Sequence, residues 1–157
     1  MKKALLTLCV LALAGGALQA KDRQEKIAQT ELPEKAQEFM AEHFAQSLVR
    51  SVSRSVADNG VETYYVSFKD KSAIEFDMAG AWSVISVKKG EISDVVVPVR
   101  LRATLRTTYA GKKVTRTEND GLHYRFVFDD ESETWINVFG EVMEAPRPAA
   151  SAEPAEN

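Results

Sequence analysis

The strongest constraint on this chain is that one stretch of it occurs twice. Residues 64–82, YYVSFKDKSAIEFDMAGAW, return sixty positions later as residues 124–142, YRFVFDDESETWINVFGEV. The register has no gap: Tyr64 meets Tyr124, Phe68 meets Phe128, Asp70 meets Asp130, Ser72 meets Ser132 and Gly80 meets Gly140. Self-similarity at a fixed period is the signature of a repeated supersecondary unit, and it constrains architecture before any local propensity does. It carries no information about chemistry.

Inside each copy the pattern is that of short antiparallel strands. Tyr64, Val66 and Phe68 alternate with Tyr65, Ser67 and Lys69, as in a half-buried strand. Residues 69–72 read as a turn, and Ile74 and Phe76 resume the apolar face. Asp77 and Gly80 occupy the first and fourth positions of a type I turn, and residues 82–87 read as a fourth strand. Upstream, residues 48–56 form another strand-like run. Asn59-Gly60 then reads as a two-residue hairpin turn, which needs positive φ at both positions. Asp120-Gly121 holds the same place in the second copy.

A helix precedes the strands of each copy. Leu32-Pro33 opens the first, since proline is favoured in a first helical turn, where its missing N–H would be unbonded anyway. Ala36, Phe39, Met40 and Phe44 form one stripe at helical spacing. At a shift of 65 residues, Val97-Pro98 opens the second helix, with Leu101, Leu105 and Tyr109 on its stripe. The extra five residues fall between helix end and second strand, where insertions are tolerated. Outer faces differ: Glu34, Glu38 and Glu42 on the first helix, Arg100, Arg102 and Arg106 on the second. Both read as solvated faces. The chain therefore divides into a first repeat at 32–90 and a second at 91–143.

The ends are of another kind. Lys2 and Lys3 precede a ten-residue apolar run, Ala4 to Leu13, too short to span a bilayer of ~30 Å. Gly15, Gly16 and Leu18-Gln19-Ala20 complete the pattern of a cleavable export signal cut after Ala20. Lipidation at Cys9 is disfavoured by the bulk of Leu8 and by the apolar run continuing past it. Cleavage removes the only cysteine, so the exported chain has no disulfide or thiol chemistry. Residues 21–31 read as a flexible lead-in. Residues 144–157, rich in Pro, Ala and Glu, read as a disordered tail that cannot bury enough surface to fold.

Charge and residue inventory exclude several functions. The net charge of −3 becomes more negative once Lys2 and Lys3 are gone, which argues against a nucleic-acid partner. No second apolar run is long enough for a membrane span. His43 and His123 lie in different repeats, the first beside the helix stripe and the second in a loop before a strand, which is no zinc site. Asp129, Asp130, Glu131 and Glu133 crowd one turn and offer oxygen ligands suited to calcium, although their spacing is not that of a calcium loop. No nucleophile elbow or phosphate-cradling glycine loop is present. The expectation is a chain that is not an enzyme and uses no cofactor.

The order of motifs, taken twice, resembles the PepSY-like family of exported bacterial proteins, described as similar to beta-lactamase inhibitory protein. The residues carrying the resemblance are Leu32, Pro33, Ala36, Phe39, Phe44, Tyr65, Ile74 to Asp77, Gly80 and Trp82 in the first copy. In the second they are Val97, Pro98, Leu101, Leu105, Tyr109, Tyr124, Asn137 and Gly140, with departures at Asn137 and Val142. The resemblance implies an α+β fold: a tandem repeat of a helix and an antiparallel four-stranded sheet, the strands joined into one sheet with the helices on one face. Antiparallel sheets can leave the other face in water. That face should hold Tyr65, Ser67, Lys69, Glu75, Arg125, Val127, Trp135 and Asn137.

In beta-lactamase inhibitory protein the open face grips an enzyme, so the resemblance implies a protein partner. Exposed Trp, Tyr and Arg are typical binding anchors. The expected protein-binding residues are Tyr65, Lys69, Arg125 and Trp135. The leading expectation is a periplasmic or secreted binding module, acting on another envelope or secreted protein and conceivably inhibiting an envelope enzyme. The alternatives are a sensor or carrier for a small ligand or cation at 129–133, and a purely structural envelope protein.

Overall fold

The computed structural model of the protein describes residues 23–145. The export signal, its cut after Ala20 and the tail from Pro146 onward lie outside the described residues. Nine strands form one antiparallel sheet in simple chain order: β1 (Arg23–Ile27), β2 (Val49–Val56), β3 (Glu62–Phe68), β4 (Ala73–Asp77), β5 (Trp82–Ser86), β6 (Val114–Asn119), β7 (His123–Phe128), β8 (Glu133–Asn137) and β9 (Val142–Met143). Two helices, α1 (Glu34–His43) and α2 (Val99–Thr108), precede β2 and β6. The order helix–strand–strand–strand–strand thus occurs twice along the chain.

Register explains why the helices share a face. Residues opposite each other in antiparallel strands point the same way. Val52, Val66, Ile74, Ile85, Thr117, Phe126 and Thr134 form one row from β2 to β8. Every one of them is buried. Both helices lie over this row. Ala36 and Met40 of α1 and Leu101 and Leu105 of α2 are buried against it. Phe39 meets Phe76 edge-on at 5.8 Å, Phe44 stacks on Phe68 at 5.5 Å, and Tyr109 stacks on Phe128 at 5.0 Å. The stripes read from the sequence are therefore the packed ones.

Two glycines hold the helices to the hairpins. Gly80, at φ 78°, closes the β4–β5 turn, and a Cβ there would lie 2.9 Å from the Ala36 nitrogen and from the Pro33 side chain. Gly140, at φ 90°, does the same at the β8–β9 turn, 3.1 Å from the Arg100 carbonyl. No other residue type fits both the left-handed backbone and the close approach.

Three expectations change. The lead-in at 21–31 was expected to be flexible, yet residues 23–27 form the edge strand β1, paired with β2. It escapes a hydrophobic reading because RQEKI is nearly all polar, which is how edge strands resist pairing with other chains. The Asn59-Gly60 turn is not a two-residue hairpin. Among the described residues only Lys71 and Glu131 are non-glycines at positive φ, so Gly60 alone is left-handed there. Ala57 and Val61 close the loop (2.9 Å), as in a type I turn followed by a glycine bulge. Finally, His123 begins β7 rather than sitting in a loop.

A candidate open-face interface

The row next to the buried one faces the other way. Ser53, Tyr65, Glu75, Val84, Glu118, Arg125, Trp135 and Met143 lie opposite one another from β2 to β9. Each is half-exposed. Among the described residues both helices pack on the opposite side, so this face is bare across the width of the sheet.

The expected anchors are not equivalent. Tyr65 and Trp135 sit on the open row, as read from their strand alternation. The Trp135 indole N–H is shielded from solvent and has no acceptor. The ring therefore lies along the sheet with its N–H edge inward. It borders a shallow depression with Val84, Glu118, Asp120 and His123. Lys69 does not join the row. It lies one residue past β3, exposed in the turn, where its N–H bonds to the Leu48 carbonyl (2.9 Å).

Arg125 is on the face but is already engaged. Its guanidinium bonds Glu133 (Nε–Oε2 3.0 Å) and Glu118 (Nη1–Oε1 3.1 Å). Arg116 binds the same Glu118 oxygen at 2.7 Å. The hydrogen bond to Glu133 raises the Arg125 pKa against the lowering effect of burial. Burial opposes the charge on Glu118, but the hydrogen bonds and charges of Arg116 and Arg125 outweigh it and hold its carboxyl below the ordinary range. Arg116 and Glu118 were not anticipated from the sequence. The pattern that would have revealed them is period-2 alternation in β6, and Thr117, a polar residue in the core, hides it.

The acidic turn is dispersed. The Asp129 carboxylate accepts the Lys113 N–H (3.2 Å). Asp130 lies 2.8 Å from Lys112 Nζ and also accepts from Ser132. The Lys112 hydrogen bond, with those from Ser132, lowers the Asp130 pKa to about 2. Glu133 is on β8 and faces Arg125. Among the described residues no group of three or more His, Cys, Asp or Glu is placed to share a metal ion. His43 packs edge-on against Phe39 at 4.7 Å, and His123 lies 3.1 Å from Asp120.

A helix-backed antiparallel meander with one bare face defines the class. The PepSY-like family profile, described as "Putative beta-lactamase-inhibitor-like, PepSY-like", matches residues 62–144, more than half of the chain. The chain belongs to the PepSY-like family. Two solved structures from Bacteroides vulgatus are similar. One, a putative periplasmic protein of the DUF2874 family, has 24% identity, covering 78% of this chain and 96% of its own, with a TM-score of 0.73. The other, a putative periplasmic protein of unknown function, has 21% identity, covering 77% and 97%, with a TM-score of 0.71. A putative calcium-regulated periplasmic protein from Bacteroides thetaiotaomicron has 24% identity, covering 77% and 94%, with a TM-score of 0.72. Identity at this level speaks for the fold alone. No curated protein matches the sequence. No helix among the described residues is long and apolar enough to cross a membrane.

Proposed function

We propose that this chain is an exported, non-enzymatic binding module of the bacterial envelope that holds another protein against the open face of its sheet. One observation carries the reading. The row from Ser53 to Met143 is half-exposed on every strand it crosses, while the row beside it is buried on every strand. The face carries two aromatic residues, Tyr65 and Trp135, of the kind that anchor interfaces. The inhibitor-like family description and the periplasmic names of the structural neighbours agree with this assignment, although fold similarity does not transfer a function. Export rests on the charged and apolar pattern of residues 1–20. Two tandem units, 32–90 and 91–143, account for the doubled element order.

A cation-binding role for 129–133 has less support. Three of its four carboxylates are turned to lysine, arginine or backbone partners. The Bacteroides thetaiotaomicron neighbour is called calcium-regulated, so the direct check is a melt with added calcium. A ligand that prefers the folded state raises Tm. A clear rise, lost in Asp130→Asn, would favour the cation reading over the binding-face reading.

The open face is tested by affinity capture from an envelope extract. Wild type is compared with Tyr65→Ala, Trp135→Ala and a control on the far side of the molecule, Glu42→Ala. The expected result is a protein retained by wild type and control but lost by both face variants, with Tm nearly unchanged. Equal retention by all four chains sinks the proposal. If Trp135→Ala instead lowers stability by several kcal/mol, Trp135 is a packing residue and not an anchor.

A further inference from the structure

The two helix-to-strand junctions have the same backbone and different contents. At the first, the Ser47 N–H donates to the Phe44 carbonyl and Lys69 to Leu48, both at 2.9 Å. At the second, Lys112 donates to Tyr109 (3.1 Å) and Asp129 to Lys113 (2.9 Å). The facing turns agree as well. Phe68 donates to the Ser72 carbonyl and Phe128 to Ser132, both at 2.9 Å, with Lys71 and Glu131 left-handed at φ 72° and 64°. The Phe44–Phe68 stack answers the Tyr109–Phe128 stack. Asp70 accepts the Ser72 N–H at 2.9 Å, and Asp130 the Ser132 N–H at 3.1 Å. Ser47 thus stands on the backbone position that Lys112 has in the second half.

Lys112 fills its own junction. Its Nζ lies 5.3 Å from the centre of the Phe128 ring, 2.8 Å from Asp130 Oδ2 and 2.6 Å from Ser132 Oγ. Arg106 reaches Asp94 across the same cleft (3.0 and 2.7 Å), and about 240 Å³ remains open. In the first half Ala41, Gln29 and Ser47 stand in place of Arg106, Asp94 and Lys112. The cleft there opens to about 610 Å³, lined by Met40, Phe44 and Val49 among others. That is within the range of small-ligand pockets, ~300–1,000 Å³. The groups that receive the lysine are kept as Phe68, Asp70 and Ser72, and the Asp70 carboxylate accepts only the Ser72 N–H.

We propose that this first cleft is a receptor for a lysine side chain offered by a partner polypeptide. The hydrocarbon stem lies along Met40, Phe44 and Val49. The ammonium sits over the Phe68 ring beside Asp70 and Ser72, as that of Lys112 does in the second half. An ammonium over an aromatic face and next to a carboxylate is attracted by both. The field is weaker than in the second half, because Lys69 and Lys71 flank Asp70 where Asp129 and Glu131 flank Asp130. The site is therefore weak and charge-selective. It lies on the helix side of the sheet and does not depend on the open face.

The test is a titration of the protein with N-acetyl-lysine methylamide, followed by amide NMR shifts, with the norleucine analogue as the uncharged control. Expected are saturable shifts confined to the amides of Phe44, Ser47, Phe68, Asp70 and Ser72, and binding at least about tenfold weaker for norleucine, a factor that corresponds to about 1.4 kcal/mol. Ser47→Lys should abolish binding by filling the cleft from within. Lys71→Glu should strengthen it several-fold, and Lys112→Ala should open a second site at Tyr109, Phe128 and Asp130. No shift at the first set of amides, equal response to norleucine, or binding undiminished in Ser47→Lys overturns the proposal.

Discussion

The open face changes character at the β5–β6 seam. On the first half it is small and uncharged: Ser51, Ser53, Ser67 and Ala73 surround Tyr65. The hydroxyls bond to one another and to neighbours, Ser51 to Ser67 at 2.7 Å and Gln24 to Ser53 at 3.2 Å. On the second half Arg116, Glu118, Arg125 and Glu133 form a closed lattice beside Trp135. Hydroxyls and amides can exchange one partner for another at little cost. A closed ion lattice has no spare donors or acceptors, and covering it incurs desolvation. For a partner spanning both halves, the first supplies exchangeable hydrogen bonds and the second supplies shape and aromatic area.

The largest test of this contrast asks whether the halves are one body. Phe76 and Phe126 are both fully buried, one in each half, under the same continuous sheet. Phe76→Ala and Phe126→Ala should each cost about 3–5 kcal/mol. In calorimetry each should move the whole unfolding transition down as a single peak. A variant that splits the transition in two, with one half left at its old Tm, would mean that the seam does not couple them. The next effect concerns the lattice. Arg125→Ala removes the residue joining Glu118 to Glu133 and should cost about 1 kcal/mol, the upper end for exposed pairs. Ser67→Ala on the first half should stay within about 0.5 kcal/mol of wild type. Denaturant midpoints compare them directly. Equal costs would erase the difference between the halves.

Legibility in the sequence followed the same physical lines. Strands β3, β4 and β7 could be read because apolar and polar residues alternate in them. The helices could be read because Ala36, Met40, Leu101 and Leu105 keep a helical spacing. β1 was hidden by its edge chemistry, four polar residues out of five. β6 was hidden by Thr117, whose burial no polarity pattern announces. With β6 unseen, Glu118 was unseen, and Arg125 looked like a free anchor instead of the centre of an ion lattice. Lys69 was placed on the face by extending the alternation one residue past the point where the chain turns.

Thr117 also gives the third test. Its side chain is fully buried in the row between Ile85 and Phe126, and its hydroxyl has no hydrogen-bond partner. Thr134, in the same row of the second half, bonds Tyr109 at 2.6 Å. Thr117→Val keeps the shape and removes an unpaired polar group, so it should stabilise the chain by about 1 kcal/mol. Thr134→Val leaves the Tyr109 hydroxyl without its partner and should destabilise. Chemical denaturation that ranks the two variants the other way would mean that the Thr117 hydroxyl has an acceptor in solution.

The smallest effect lies at the β7–β8 turn and separates it from its β3–β4 counterpart, which has no lysine over it. Asp130 is held down to about 2 by Lys112 first and Ser132 second. The folded chain thus favours its carboxylate more than the unfolded chain does. The stability this gives is whole above about pH 4 and is lost as the pH falls toward about 2. Lys112→Ala removes the principal cause, so the Asp130 carboxyl should titrate at higher pH in the variant, and its acid loss of stability should be shallower. Carbon-detected NMR of the Asp130 carboxyl reads the midpoint in both chains. An unchanged midpoint would mean that the Ser132 hydrogen bonds, and not the lysine, hold the charge. The cleft would then be filled in the second half without being held there by charge, and the charge-selectivity proposed for the first cleft would lose its template.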